Sequence, residues 1–337
     1  MLVIMRCDCT VEECSRVEEA VRRLGYEPVP VPGADRTAIC VTGNKGPVEA
    51  GAFVRLPGVV ECIPVTRPYK LVSREVHPED TVVRVGDVQI GGRKPVVIAG
   101  PCSVETEART LKIAERVKRA GALLFRAGAF KPRTSPYSFQ GLGREALVTL
   151  DRVRREVGLP VVTEVMDADD VEEMLPCVDL FQVGARNMQN TSLLKRLAAA
   201  GRPVLLKRGL SATLEEFLMA AEYLLSGGND QVILCERGVR TFNSHSRNTL
   251  DLNIVPLIRR LSHLPILVDP SHGVGSRERV RPMARAGMAA GAQGLLIETH
   301  TEPDLSFTDA DQTIAVETLE GILRDLEVLS RLEPLFA

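Results

Sequence analysis

Two sets of side chains in this 337-residue sequence have types that do chemistry. The first is cationic: Arg126, Lys131, Arg133, Arg186, Lys207 and Arg237, each at or just after a short apolar run. Guanidinium forks match carboxylate and phosphate oxygens in paired hydrogen bonds, and lysine adds a compact charge. Six cations around one mouth repel one another unless anionic groups fill it, so the pattern predicts a ligand load of two phosphates and a carboxylate. The second set is Cys102, His272, Glu298 and Asp309. Thiolate, imidazole and two carboxylates hold a borderline divalent ion such as Mn²⁺, Fe²⁺, Co²⁺ or Zn²⁺ and leave a position for substrate or water. Their separation excludes zinc-finger spacing. The site therefore exists only if the fold gathers distant stretches; otherwise Cys102 is a buried small hydrophobe.

The elements that must do the gathering follow a repeated pattern. From Pro95 onward a short apolar run, a Gly-rich or polar loop and an amphipathic helical stretch alternate. The runs are Val96 to Ala99, Leu123 to Arg126, Val161 to Glu164, Leu180 to Val183, Val204 to Lys207, Val232 to Cys235, Ile266 to Asp269 and Leu295 to Glu298. Eight strands alternating with helices predict a (β/α)₈ barrel over 95–337, with its active site at the C-terminal strand ends. A doubly wound open sheet is the rival, but no G-x-G-x-x-G follows any run. At or after the runs stand Cys102, Arg126 with Lys131 and Arg133, Glu164, Arg186, Lys207 with Arg208, Glu236 with Arg237, Asp269 with His272, and Glu298. The opposite ends carry mostly Pro and Gly, and that asymmetry predicts a site on one rim.

Residues 1–66 form a separate module that reads as βαββαβ, a ferredoxin-like pattern. Thr10 and Glu13 make a capping box, Val11, Cys14, Val17, Val21 and Leu24 recur at helical spacing, and Gly25 ends the helix. Glu27 to Val31 and Thr37 to Thr42 suit strands around a Pro32 to Asp35 turn; Pro47 opens a second short helix, and Val59 to Val65 closes the pattern. Residues 67–94 read as linker plus a lid strand, from the alternation Val82, Val83, Val85, Val88 and Ile90.

Composition excludes several classes of function. Lys and Arg total 42 against 44 Asp and Glu, a net charge of −2, so nothing attracts the whole chain to nucleic acid or anionic membrane. No window approaches the roughly 20 apolar residues of a membrane helix, and the N-terminal run Leu2 to Met5 is too short for a signal-peptide core. The cytoplasm is the default location, where the eight cysteines are expected as thiols. His77, His263 and His300 read as surface or satisfied structural residues, and His245 as a loop residue.

Six ordered motifs resemble one family. They are Ala99-Gly-Pro-Cys-Ser-Val-Glu105, Phe125-Arg-Ala-Gly-Ala-Phe-Lys-Pro-Arg-Thr-Ser135, Gln182-Val-Gly-Ala-Arg-Asn187, Leu206-Lys-Arg-Gly209, Cys235-Glu-Arg-Gly238 and Asp269-Pro-Ser-His272. The sequence thereby resembles 3-deoxy-D-arabino-heptulosonate 7-phosphate (DAHP) synthases of the type I β class. The resemblance implies condensation of phosphoenolpyruvate with erythrose 4-phosphate, releasing phosphate, at the entry to the shikimate pathway. It implies that Arg126 and Lys207 face the phosphoenolpyruvate carboxylate, while Arg186, Arg237 and the Ala185 N–H hold its phosphate. Lys131 would lie between the substrates as a proton donor, its pKa lowered by cationic neighbours. Arg133 and Thr134 would take the erythrose 4-phosphate phosphate, and Glu164 would stand near a water. Cys102, His272, Glu298 and Asp309 correspond to the metal ligands. Thr308-Asp-Ala-Asp-Gln312 departs from the family pattern and leaves Asp311 as a rival ligand. The family further implies a homotetramer, and an N-terminal module that binds tyrosine or phenylalanine as inhibitor. An inert oligomerisation domain is the competing reading of that module. For the whole chain the competing readings are a 3-deoxy-octulosonate 8-phosphate synthase using arabinose 5-phosphate, and a non-catalytic amino-acid-binding regulatory protein. Lys131-Pro-Arg-Thr-Ser135 stands where octulosonate synthases carry Lys-Ala-Asn-Arg-Ser, which favours the four-carbon substrate.

Overall fold

The computed structural model describes every residue except 34, 35, 45–47, 65–67, 132–134, 136 and 331–337. Two units result, Met1–Glu79 with Leu261–His263, and Asp80–Arg260 with Leu264–Ala337.

The first unit is an antiparallel sheet of β1 (Leu2–Met5), β2 (Glu27–Pro32), β3 (Thr37–Thr42) and β4 (Val59–Ile63) in the order β2-β3-β1-β4. Helix α1 (Val11–Arg23) opens on Thr10, whose side chain accepts from the Glu13 N–H while the Glu13 carboxylate accepts from the Thr10 N–H. Its apolar stripe buries Val17 and Val21 against Val3, Met5, Ile39, Val41 and Phe53, a ferredoxin-like arrangement. Among the described residues no second α-helix forms in this unit. A single 3₁₀ turn at Ala50–Ala52 takes its place, because Gly51 weakens a helix and Pro57-Gly58 ends the stretch. Pro47, and Ala34 and Asp35 of the expected turn, lie outside the described residues.

The second unit begins with a hairpin, β5 (Val83–Val85) and β6 (Val88–Ile90). Eight parallel strands follow: β7 (Val96–Gly100), β8 (Leu124–Arg126), β9 (Val161–Val165), β10 (Leu180–Val183), β11 (Val204–Lys207), β12 (Val232–Glu236), β13 (Ile266–Val268) and β14 (Gly294–His300). Each pairs with the next, and β14 pairs back with β7 from Gly294↔Val96 to Glu298↔Gly100, so the sheet closes as a TIM barrel. Helices α2 (Glu107–Ala120), α3 (Arg144–Arg152), α4 (Val171–Met174), α5 (Thr191–Ala199), α6 (Leu214–Ser226), α7 (Ile254–Leu261), α8 (Pro270–Val274), α9 (Arg277–Ala289) and α10 (Val316–Leu329) lie between or after the strands.

The hairpin is not a lid over the site. Val83, Val85 and Ile90 pack into the barrel core with Val96, Leu124, Val162 and Leu267. The Arg84 N–H donates to Gln231, just before β12, and Gln293, just before β14, donates to the Gly91 carbonyl. Both anchors lie at N-terminal strand ends, so the hairpin plugs the end opposite the charged rim. Its alternation was a strand signal, whereas its apolar face decided which end it closes.

Candidate active site

Strand pleating places the site. Side chains two apart share a face, and the inward layer holds Ile98, Leu124, Val162, Leu180, Leu205, Cys235, Leu267 and Leu296. Two residues further along the same face come Gly100, Arg126, Glu164, Gln182, Lys207, Arg237, Asp269 and Glu298. The barrel interior thus turns from apolar to charged within one step of the pleat.

Cys102, His272, Glu298 and Asp309 converge there, each offering a ligand atom within 4.8 Å of the others. Cys102 follows β7, Glu298 lies on β14, and His272 lies on α8, whose first turn is capped by Asp269 accepting from the His272 N–H. Asp309 holds φ 54°, the one non-glycine residue at positive φ among those described, and this turn aims its carboxylate inward. Asp311 is exposed and outside the cluster, so the rival ligand is set aside.

The donor set fits a divalent ion. His272 Nδ1–H donates to Asp269 Oδ2 at 2.7 Å, which leaves Nε2 facing Glu298 Oε1 at 3.3 Å. A carboxylate behind a ligating imidazole fixes its tautomer in this way. Burial lowers the His272 pKa against the pull of Asp269 and Glu298, and the bond from Nδ1–H to Asp269 leaves Nε2 as the ligand atom. Cys102 Sγ donates to Asp309 Oδ2 at 2.9 Å, and burial with the two neighbouring carboxylates pushes its thiol up to about 12. Glu298 titrates low: burial opposes this, but His272 and Arg126 outweigh it. These are soft and hard donors of a borderline divalent site, with carboxylates ready charged and a thiol that must give up its proton.

Beside the cluster lies a cavity of about 370 Å³, lined by Lys131, Glu164, Ala185, Arg186, Lys207, Arg237, His272 and Asp309, with Arg240 and Arg247 also contributing. Arg126 sits beneath it, 4% exposed, donating to the Pro101 carbonyl and to Glu298 Oε1. Its Nε finds no partner among the described residues. Lys207 Nζ meets Asp269 Oδ2 at 2.6 Å. Asp269 stays ionised far below the ordinary range because His272 and Lys207 outweigh its burial. The repulsion expected among six cations is therefore already relieved for Arg126 and Lys207 by carboxylates of the same layer. Lys131 also departs from expectation: its Nζ donates to Cys102 Sγ at 2.8 Å, and its pKa rises. Burial and Arg126 pull it down, but Cys102, Glu298 and Glu164 outweigh them, so it remains an ammonium. Glu164 accepts from Gln182, and a Cβ on Gly184 would come within 2.0 Å of its Oε1. Arg133 and Thr134 lie outside the described residues. His245 is exposed, while His263 and His300 are buried and hydrogen-bonded.

The family model of the DAHP synthetase I family matches residues 72–331, and that of the DAHP synthase ferredoxin-like domain matches residues 1–67. The chain belongs to the DAHP synthetase I family. A phospho-2-dehydro-3-deoxyheptonate aldolase of Thermotoga maritima is 44% identical over 330 residues, 98% of each chain. A crystal structure of the DAHP synthase of that organism superposes with a TM-score of 0.78 at 43% identity, covering 98% of this chain and 96% of that one. A 2-dehydro-3-deoxyphosphooctonate aldolase of Geobacter sulfurreducens is 32% identical over 266 residues, 73% of this chain and 97% of that one.

Within this DAHP synthase framework, Asp269 and Gln312 matter more than the strand-end reading implied. Asp269 joins Lys207 to His272, and its signal was the three-residue step from an N-cap aspartate to a histidine in Asp-Pro-Ser-His. Gln312 donates to Glu298 Oε2, and only the folded turn reveals that contact.

Proposed function

We infer that the chain condenses phosphoenolpyruvate with erythrose 4-phosphate to give DAHP and inorganic phosphate. The observation that carries this reading is one cavity, in a barrel of this family, where Lys131, Arg186, Lys207 and Arg237 stand beside a Cys-His-Glu-Asp cluster. A divalent ion held by Cys102, His272, Glu298 and Asp309, drawn from Mn²⁺, Fe²⁺, Co²⁺ or Zn²⁺, would supply a Lewis acid for the aldehyde oxygen.

The chain's own residues do the rest. Arg126 and Lys207 orient the phosphoenolpyruvate carboxylate, and the unpartnered Arg126 Nε supports that role. Arg186, Arg237 and the Ala185 N–H hold its phosphate, while Arg133 and Thr134 hold the phosphate of erythrose 4-phosphate. C3 of the enol then bonds to the aldehyde carbon, and Lys131 gives its proton to the new hydroxyl oxygen. Positive character at C2 is quenched by a water that Glu164 holds. Glu164 takes one proton of that water, which returns to Lys131, and rupture of the C2–O bond leaves a ketone at C2 as phosphate departs with the other proton, its P–O bond untouched. Preorganised charge and held geometry lower the barrier.

The experiment is phosphate release from phosphoenolpyruvate with erythrose 4-phosphate and, separately, with arabinose 5-phosphate, before and after chelation. Turnover with the four-carbon sugar alone, lost on chelation and restored by metal, is expected. Preference for arabinose 5-phosphate would favour the octulosonate reading; tyrosine binding without turnover would favour the regulatory one. We propose further that the enzyme works as a cytoplasmic homotetramer, with tyrosine or phenylalanine inhibiting through residues 1–66. Inhibition that survives deletion of those residues would remove the regulatory assignment.

No helix among the described residues is long and apolar enough to cross a membrane.

A further inference from the structure

We infer that Arg247 is a positioning residue that selects which carboxylate oxygens of Asp309 and Glu298 face the metal cluster. The inference rests on those residues being metal ligands, as proposed above. Arg247 belongs to the loop after β12, away from the strands that carry the cluster. Its Nη1 donates to Asp309 Oδ1 at 3.0 Å and to Gln312 Oε1 at 2.7 Å. Gln312 in turn donates through Nε2 to Glu298 Oε2.

This chain of contacts sorts the oxygens. On Asp309, Oδ1 is taken by Arg247, so Oδ2 is the atom turned to the Cys102 thiol. On Glu298, Oε2 is taken by Gln312, and Oε1, which also accepts from Arg126, is the atom turned to His272 Nε2. One guanidinium nitrogen therefore holds the Asp309 carboxylate directly and the Glu298 carboxylate through Gln312, as Asp269 holds the imidazole.

The loop is built to hold that nitrogen in place. The Arg247 N–H donates to the Val274 carbonyl, and Asn248 donates to the His272 carbonyl at 2.9 Å. A Cβ on Gly275 would come within 2.4 Å of the Arg247 Cβ, so the arginine stem lies directly on the end of α8. The arginine is 43% exposed and lines the cavity, and a solvated guanidinium rarely needs such seating. Carboxylates bound on one oxygen by a donor keep the other oriented, and removing such outer contacts typically costs 10- to 100-fold in metal affinity.

The test is metal titration of the full-length, metal-stripped protein with Mn²⁺ or Zn²⁺ against a competing chromophoric chelator, with no substrate present. Arg247→Met is expected to weaken affinity about 10- to 100-fold, and Gln312→Ala to weaken it by a smaller factor. The double variant should lose less than the product of the two, because both act through one chain of contacts. Arg247→Lys, which keeps a donor, should recover part of the loss and serves as the test if Arg247→Met does not fold. Wild-type metal affinity in Arg247→Met, or in Arg247→Lys where only that variant folds, overturns the inference. So do multiplicative losses in the double variant. Unchanged metal affinity with a tenfold rise in a substrate KM would make Arg247 a substrate-binding residue instead. Because the titration contains no substrate, a wild-type protein that binds metal but releases no phosphate would sink the proposed reaction while leaving this result standing.

Discussion

Val162 and Glu164 stand two residues apart on one face of one strand, yet they belong to regions with opposite physics. Below is an apolar layer, closed by the Val83–Ile90 hairpin and gaining stability from burial alone. Above is a layer where Arg126 faces Glu298 and Lys207 faces Asp269, all nearly inaccessible. Burying an ion costs several kcal/mol unless a partner and hydrogen bonds offset it, and these charges are arranged to meet that condition. The lower layer is thus where the barrel is held together. The upper layer is tolerated by the fold because its charges compensate one another, and it is retained for chemistry.

The sharpest way to break this contrast is to exchange the consequences. Lys131→Met removes a buried cation whose hydrogen bonds go to the Cys102 thiol and carbonyl, while Arg126 still faces Glu298 and Gln182 still donates to Glu164. Turnover is expected to fall about 10²- to 10⁴-fold, the usual worth of a positioned acid, with little change in Tm. Near-normal turnover would show that Lys131 is not the proton donor. Leu205→Ala, two residues below Lys207, should do the reverse. It is expected to lower unfolding free energy by about 2–5 kcal/mol, with kcat of the folded fraction unchanged in urea-calibrated assays. A large kcat loss there would mean that the layers are not separable.

Gly184→Ala probes the boundary between them. The added methyl collides with the Glu164 carboxylate and must push it toward the cavity. A displacement of about 1 Å is worth up to roughly 10²-fold in rate, so kcat should drop about 10- to 100-fold while the neighbouring β9–β10 pairing survives. Full activity in this variant would remove Glu164 from the reaction.

The contrast also shows what the sequence could disclose. Leu124-Phe-Arg126, Leu205-Leu-Lys207 and Leu296-Ile-Glu298 spell the change from apolar to charged in consecutive inward positions, so strand count, rim and most of the site were legible. The hairpin's destination was not, since alternation gives a strand with one apolar face but no information about which end of the barrel lacks cover. The Lys131 shift was misread for a related reason. Sequence order shows Arg126 five residues away, while Cys102, Glu298 and Glu164, which decide the sign, arrive only when the barrel closes. Arg247 escaped notice because its partners Asp309 and Gln312 lie over sixty residues downstream.

The smallest effect tests the outer wall of the upper layer. Glu105 is buried and accepts from the Phe307 N–H at 2.8 Å, from Arg109 at 2.8 Å and from His300 Nε2 at 3.4 Å. His300 is a donor at Nε2 because its Nδ1 already accepts from the Glu302 N–H. Burial alone would raise the Glu105 pKa, but these donors outweigh it and the value falls below the ordinary glutamate range. A carboxyl with a depressed folded pKa adds stability that is complete above its unfolded value and is lost as pH falls through the folded one. Glu105→Gln keeps the shape and removes the charge, so it should cost about 1.5–3 kcal/mol near pH 7, the worth of hydrogen bonds to a charged group. The gap between wild type and variant should then narrow below about pH 4.5. Urea unfolding at pH 7 and pH 4 measures it. A gap that stays constant would mean the Glu105 charge contributes nothing, and that the loop carrying Asp309 is held by packing and the neutral Ser103–Thr308 contact instead.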